Sequence, residues 1–501
     1  MKYKTIREGI LKLFTLVFII TFIYIVYIAI FNCSIENFKI NSIGVFVGSV
    51  FLILILYILD KYFVKLDEHV LFKIRIFSII TMIFLQIAFI IFLRVGLSWD
   101  YGAINNAAFE FALGKEMLPD YFYLLYPNNI GSTLFLGYIY KFVSIFTNDK
   151  EIFLRVGIIL NLLMINLSIF TTYFLIDKIF GESRATLFSV FSLTITPLYA
   201  YSQIVYTDTL TMFFPVGMLL LLYKYNEIIK HSANSKYRKI LYLIGIGILG
   251  VIGTNLKTNI VICLIAIIIF LLLTSSIFDG LKRMTFILLP FIVGSIIIHS
   301  IFSLYIPVSY KDAGLPYTHW IMMGLSGAVG SYSEDDVAKS REVKEKYGKE
   351  ATAEYNKNVI KSRLKEFGVS GYTKFLKQKT SLTWGDGTYY STNKLGRLPF
   401  KKTDLYYHVV EGNNDVFVYI SQISHTVLMS GILIAAIGYY KKSFDFIKVL
   451  LIAIFGVFLF LILWETRPRY LVCFLPVIII TAFYGLDCIF KFIDKIRSPQ
   501  N

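Results

Sequence analysis

The stretch LFKIRIFSIITMIFLQIAFIIFLRV, residues 71–95, runs directly into Gly96-Leu97-Ser98-Trp99-Asp100. An apolar run of about 17–25 residues spans a hydrocarbon core of about 30 Å, and its backbone must satisfy its own polar groups, so it reads as a helix. Met284–Ile306 repeats the pattern. Barrel strands would instead alternate strictly over segments of about ten residues. The chain has 501 residues, 56% of them hydrophobic, and a mean hydropathy of +0.67. A soluble protein of this size needs far more polar surface. The reading is an all-α polytopic membrane protein.

The formal charge of +16 is gathered in places that set topology rather than bind nucleic acid. Lys2, Lys4, Arg7 and Lys12 precede or enter the first span, Lys224 to Lys239 fill one loop, and Lys491, Lys495 and Arg497 end the chain. Both termini are therefore expected on the cytoplasmic side of a cell membrane. Cys33, Cys263, Cys473 and Cys488 form no metal-ligand spacing and read as small apolar residues. The run 10–31 is long for a signal peptide and is read as a retained first span.

Counting inward from each end gives spans near 10–31, 42–60 and 72–95, then 209–223, 240–256, 258–276, 284–306, 415–439, 447–464 and 471–490. Between Asp100 and Asp208 lie three more apolar segments, 129–147, 152–177 and 185–201. Three crossings there would put the two aspartates on opposite faces. The segment 129–147 is short and carries Lys141, so it is expected to be re-entrant or interfacial, leaving about 12 crossings. The organisation follows as two additional N-terminal helices (1–62), a membrane core with an outer loop at 96–128 (63–306), a mostly helical extracytoplasmic segment (307–414) and C-terminal spans with a basic tail (415–501). Within 307–414, Ser333-Glu334-Asp335-Asp336 reads as a capped helix start rather than a cation site, Gly368 as a stop, and 371–383 as a second helix. No cofactor is required by these features.

The residues able to carry chemistry fall on one face. Asp100 directly follows a span and reads as a general base at headgroup level or as a helix cap. Asp208 lies between two apolar runs with almost no loop, where a carboxylate needs a cavity or a partner. Lys257, Arg467 and Arg469 sit at span ends on the outer face, against the usual positive-inside bias; they suit phosphate binding, with snorkelling or pairing to Glu465 as the plainer role. His319, beside Trp320, can orient a sugar or acceptor or serve as a hydrogen-bonded core histidine. Phosphate loops, HExxH and GxSxG motifs are absent from the sequence.

Taken in order, Trp99-Asp100, Tyr126-Pro127, Tyr206-Thr207-Asp208, Asn255-Leu256-Lys257 and Arg467-Pro468-Arg469-Tyr470 resemble the GT-C superfamily of membrane glycosyltransferases, in the branch of protein O-mannosyltransferases and aminoarabinose transferases. The resemblance covers about residues 76–470. It implies a GT-C-like core whose first outer loop carries helices along the membrane surface. It also implies a polyprenyl-phosphate sugar donor, an acceptor in the cell envelope, and inversion at the anomeric carbon. Asp100 takes the place of the catalytic or acceptor-site acid, Asp208 that of the second outer-loop acid, and the late basic residues that of lipid-phosphate ligands. Tyr126, Lys257, His319, Trp320, Trp384, Arg467, Arg469 and Tyr470 are the expected substrate contacts, beneath a lid formed by 307–414. Tyr101 stands where many members carry a second acid. Rival readings are a transporter or flippase and a polysaccharide polymerase or ligase; the first would favour inverted repeats and ionisable residues near the midplane.

Overall fold

The computed structural model describes residues 2–35, 38–231 and 235–497, which form helices and no strands. In chain order these are α1 (Lys2–Phe31), α2 (Ser42–Phe63), α3 (Glu68–Phe92), α4 (Trp99–Ala112), α5 (Ile130–Val143), α6 (Lys150–Phe180), α7 (Glu182–Phe191), α8 (Pro197–Ala200), α9 (Thr207–Leu210) and α10 (Phe213–His231). There follow α11 (Lys236–Leu256), α12 (Val261–Thr274), α13 (Ile277–Phe302), α14 (Tyr317–Met323), α15 (Glu334–Trp384), α16 (Ser391–Leu395), α17 (Asp404–Val409), α18 (Asp415–Gly438), α19 (Ile447–Leu463) and α20 (Leu475–Arg497). Nine of the described helices are long and apolar enough to cross a membrane, and Thr258–Thr274 and Ile447–Leu463 are shorter apolar ones.

Contacts between loops sort the helix ends into two layers. In one, Tyr57 donates to Asp494 (2.9 Å), Arg184 pairs with Asp60, Arg75 pairs with Glu182, and Tyr223 donates to the carbonyl of Lys178 (3.0 Å). Lys448 joins Thr15 (2.9 Å) to Tyr439 (3.0 Å), and Arg7 reaches the carbonyl of Ser275. This layer carries the start of α1 and the end of α20. In the opposite layer Asn41 donates to Tyr419 (2.9 Å), Gly96 to Leu398 (2.8 Å), Val95 to Gln203 (3.0 Å) and Glu465 to Trp320 (3.1 Å). Segment 307–414 caps this second layer.

Followed between the layers, α1, α2, α3, α6, the stretch 182–200, α10, α11, α12, α13, α18, α19 and α20 cross, and α5 does not. Arg94, at the top of α3, pairs with Glu151 at the start of α6, so the chain between them begins and ends on the cap side. Along the way Gly131 lies flush on the end of α11, where a Cβ would sit 2.0 Å from the carbonyl of Asn255. Tyr138 meets Tyr305, and Lys141 pairs with Glu116 at 3.7 Å. Helices α4 and α5 thus lie along the cap-side ends of the bundle.

The stretch 185–201 is not the continuous span its apolarity led us to expect. It is α7, a 3-10 turn at Ser192–Thr194, and the four-residue α8 opening on Pro197. Proline cannot donate and its ring displaces the preceding turn. Freed carbonyls find partners inside the protein: Thr194 Oγ1 donates to that of Phe191 (2.9 Å) and Gln86 to that of Leu198 (3.1 Å), while the hydroxyls of Thr196 and Ser421 (2.7 Å) tie the broken stretch to α18. A broken helix at membrane depth is tolerated under that condition.

The cap differs from expectation in one respect. Ser333 caps α15, accepting from Asp336 N (3.3 Å), and the non-helical backbone of Gly368 (φ 56°) ends one helical stretch and lets a second run on to Trp384, as expected, but a further break at Gly348 (φ 85°) divides the polar helix before it. Beyond it, residues 385–399 fold back into the bundle. Asp386 bonds the backbone N–H of Thr388 (2.8 Å) and Tyr390 (2.9 Å), Gly387 donates to Gln422 (2.8 Å), and His425 joins Tyr389 OH (3.0 Å) to the carbonyl of Trp384 (2.8 Å). The arrangement predicts that Lys150→Cys and Arg397→Cys label from one face of an intact membrane and Lys65→Cys from the other. Labelling of positions 150 and 65 from a common face would contradict it.

Candidate functional site

Four charges meet at the cap end of the bundle. Asp208, in the first turn of α9 and 1% exposed, accepts from Lys257 Nζ at 2.5 Å and from Arg469 Nη1 at 2.9 Å. Lys257 follows α11 and also donates to Thr207 Oγ1 (3.3 Å). Arg469 lies in the 3-10 helix Pro468–Phe474 that opens the last span, and its Nη2 stands 3.7 Å from Asp100. Asp100 is held otherwise: Tyr121 OH donates to one oxygen (2.9 Å) and Tyr206 OH to the other (3.1 Å), and the side chain keeps 35% of its surface exposed. Burial, followed by the charge of Asp100, pushes the Tyr121 phenol well above its ordinary pKa, so it stays a neutral donor. The two acids are thus unequal, one locked between cations and the other reachable and held by phenols.

Aromatic rings wall the cluster. Trp99 packs edge-on against Tyr206 (4.7 Å between centroids), Arg469 lies over the rings of Trp99 (5.1 Å), Tyr206 (5.0 Å) and Tyr470 (5.0 Å), and Lys257 over Tyr470 (5.4 Å). Tyr470 OH donates to Glu465 (2.5 Å), fixing the ring under both cations. Arg467 bonds Tyr390 OH (3.2 Å) and stands 3.9 Å from Glu465. Tyr126 packs between Tyr121 (4.9 Å) and Trp320 (5.4 Å). Of the expected contacts, Lys257, Arg469 and Tyr470 form the carboxylate cluster itself, Arg467 and Tyr126 line its edge, and Trp320 lies one ring further out, beyond Tyr126.

Two lie elsewhere. His319 is fully buried between α14 and α15, with Nδ1 2.8 Å from Ser340 Oγ, which bonds Asn356 (3.1 Å). Burial lowers its pKa to about 4, and its surroundings are those of a structural histidine in the cap. Trp384 is 1% exposed between Phe22 (5.9 Å) and Phe458 (6.4 Å), where it wedges the cap onto α1 and α19. Neither ring lies over the carboxylates.

Lys394 had no signal in the sequence, lying in the polar run Ser391-Thr392-Asn393-Lys394. The fold-back of 385–399 brings its ammonium 3.7 Å from the centre of the Trp99 ring, with only 5% of the residue exposed. Among the described residues no carboxylate pairs with it. Burial, reinforced by Arg469 and Arg397, pulls its pKa down to about 6. Trp99 (φ 47°), Tyr389 (φ 53°) and Tyr390 (φ 69°) are left-handed non-glycine residues, and all three sit beside this lysine or on the turn that delivers it. Strain of this kind persists only where surrounding structure imposes it. Among the described residues no group of three His, Cys, Asp or Glu is gathered as a metal site requires.

Breaking a buried pair by removing one partner costs about 3–5 kcal/mol. Asp208→Asn should therefore lower the thermal stability of the purified protein strongly, with part of the loss regained in Asp208→Asn/Lys257→Gln. Asp100→Asn, whose amide oxygen still accepts from a tyrosine, should leave the melting temperature within a few degrees. Equal losses from the two single changes would remove the distinction between the two acids.

No curated protein matches the chain, and no solved structure does. A family model described as "conserved hypothetical integral membrane protein" matches residues 2–488, and the chain belongs to that family.

Proposed function

We propose that this protein is an inverting glycosyltransferase that takes a sugar from a polyprenyl-phosphate donor and delivers it to a cell-envelope acceptor on the face away from the cytoplasm. The observation that carries the reading is the asymmetry of the two acids, with an exposed Asp100 beside a buried Asp208. A base must reach its proton, and Asp100 is the carboxylate that can. In the reaction an acceptor O–H or N–H attacks the anomeric carbon while its proton passes to Asp100. The bond from that carbon to the phosphate oxygen breaks, and polyprenyl phosphate leaves. Asp208 is a positioning residue, since it holds Lys257 and Arg469 in place and meets no open surface.

This division changes which cations face the donor. Lys257 and Arg469 are both committed to Asp208, so turning either to a phosphate would strand a buried carboxylate. Arg467 bonds the neutral Tyr390 hydroxyl and meets an acid only at the long contact to Glu465, and among the described residues no acid pairs with Lys394. We assign the phosphodiester to these two, with Trp99 beneath Lys394. Clustering at one end of the bundle favours surface chemistry on a lipid-borne substrate over passage through the midplane. A cap on the face opposite the basic termini agrees with the positive-inside bias.

Purified protein with a polyprenyl-phosphate sugar should release or transfer the sugar, and Asp100→Asn should reduce turnover about a hundredfold to ten-thousandfold. Turnover at the wild-type rate in that variant would overturn the assignment. A phosphodiester keeps its charge between pH 6 and 8, so the binding pH dependence reports Lys394. The anion favours the protonated amine, whose pKa in the free protein is about 6. Donor affinity should then fall as pH rises, by up to about tenfold per unit above that value. Lys394→Met should bind more weakly at pH 6 and lose the slope. A slope unchanged in Lys394→Met would exclude the lysine as the ligand.

A further inference from the structure

A row of aromatic rings leads away from Asp100, and the chemistry above does not use most of it. Tyr121, bonded to Asp100, packs on Tyr126 (4.9 Å), Tyr126 on Trp320 (5.4 Å), Trp320 nearly parallel to Trp464 (6.3 Å, 15°), and Trp464 on Phe460 (5.5 Å, 26°). All five are partly exposed rather than buried. Phe460 lies in the last turn of α19, where Leu459 and Leu463 are 46% and 56% exposed on a helix of almost wholly apolar sequence. The row therefore starts at the hydrocarbon edge and ends at the reachable carboxylate.

An interfacial belt of Trp and Tyr would spread around the bundle at headgroup level. This row instead converges on one point from three separate stretches of chain: the loop before α5, the cap helix α14 and the end of α19. Its alignment is also built in. Glu465 N donates to the carbonyl of Trp320 (3.1 Å) and Thr466 N to that of Gly330 (3.0 Å). The fully buried Lys379 donates to the carbonyls of Gly324 (2.5 Å) and Trp464 (2.8 Å), tying the cap to the loop that carries Arg467. Gly324 lies so close that a Cβ there would stand 2.7 Å from the carbonyl of Leu463. Trp320 and Trp464 are thus clasped together, and Trp464 stands three residues before Arg467.

We propose that this row, with Trp320 and Trp464 at its centre, seats the first isoprenoid units of the donor, which lie across the exposed side of the closed seam between α14 and the end of α19. The inference rests on the reading of a lipid-linked donor. A phosphate at Arg467 leaves its chain next to Trp464, with Phe460 and the bilayer beyond. Isoprenoid units are branched and carry flat, polarisable double bonds whose vinylic and allylic C–H groups meet the negative face of an aromatic ring, whereas a saturated straight chain presents only less polarised methylene groups. The row accordingly selects the kind of lipid chain and not merely its length.

The test compares farnesyl phosphate with dodecyl phosphate, which share the headgroup and the main-chain length, binding to the full-length protein in nanodiscs. The wild type should prefer farnesyl phosphate by about threefold to tenfold. Trp320→Leu and Trp464→Leu should bring the two affinities within about twofold of each other, with dodecyl phosphate bound as before, and the phenylalanine variants should keep the preference. Equal affinities in the wild type, no binding of either phosphate, or a preference that survives both leucine variants would overturn the proposal. The sugar-transfer assay separates the two readings. Absence of transfer with the preference intact removes the enzyme and leaves the lipid seat. Transfer with an unchanged donor KM in both leucine variants removes the seat and leaves the enzyme.

Discussion

The cap end of this protein depends on the buried contact of Asp208 with Lys257 and Arg469. A carboxylate with 1% of its surface exposed at the end of an apolar bundle is tolerable only when paired and hydrogen-bonded. Here the partners come from the end of α11 and the start of the last span, so one ion cluster fixes the register of three distant parts of the chain. Arg469 extends the cluster to Asp100, and the four charges balance. Such a balance leaves no spare positive charge, so on the proposed reading the donor phosphate is met by other side chains.

Those side chains are presented by strain. Left-handed backbone at Trp99, Tyr389 and Tyr390 costs about 1–3 kcal/mol each, and the surrounding bonds offset it. Asp386 closes the turn with its carboxylate, Tyr201 donates to the carbonyl of Tyr389 (2.7 Å), and His425 holds the Tyr389 hydroxyl. The outcome is a lysine laid on Trp99 and a tyrosine hydroxyl turned to Arg467. Without the fold-back of 385–399 neither would reach the carboxylates, so the segment named as a lid is also part of the wall.

Much of this was legible in the sequence because hydrocarbon imposes a strict code. Apolar length gave the spans, and an odd count between Asp100 and Asp208 gave the helix that lies flat, α5. Charges misplaced against the positive-inside bias pointed to Lys257, Arg467 and Arg469. The code fails where packing replaces it. The stretch 185–201 reads as an ordinary span, since its break is supported by Ser421 and Gln86, which are remote in sequence. His319 and Trp384 look like ligands because their residue types are common in sites, yet burial in the cap and bundle uses them for packing. Lys394 is invisible for the opposite reason: a lysine in a polar run is unremarkable until a turn buries it.

The difference between the two acids carries the functional argument further than their number. A carboxylate gripped by lysine and arginine is stabilised as an anion, and taking up a proton would forfeit both contacts. Tyrosine hydroxyls stabilise a carboxylate more weakly and still allow it to accept a proton, because neutral donors add no net charge. On the proposed reading proton acceptance falls to Asp100 and charge placement to Asp208, with Arg469 touching both. That sharing keeps Asp100 close to a fixed positive charge without burying it. It also couples the geometry of the exposed acid to the loop 464–470, which the cap holds by its backbone.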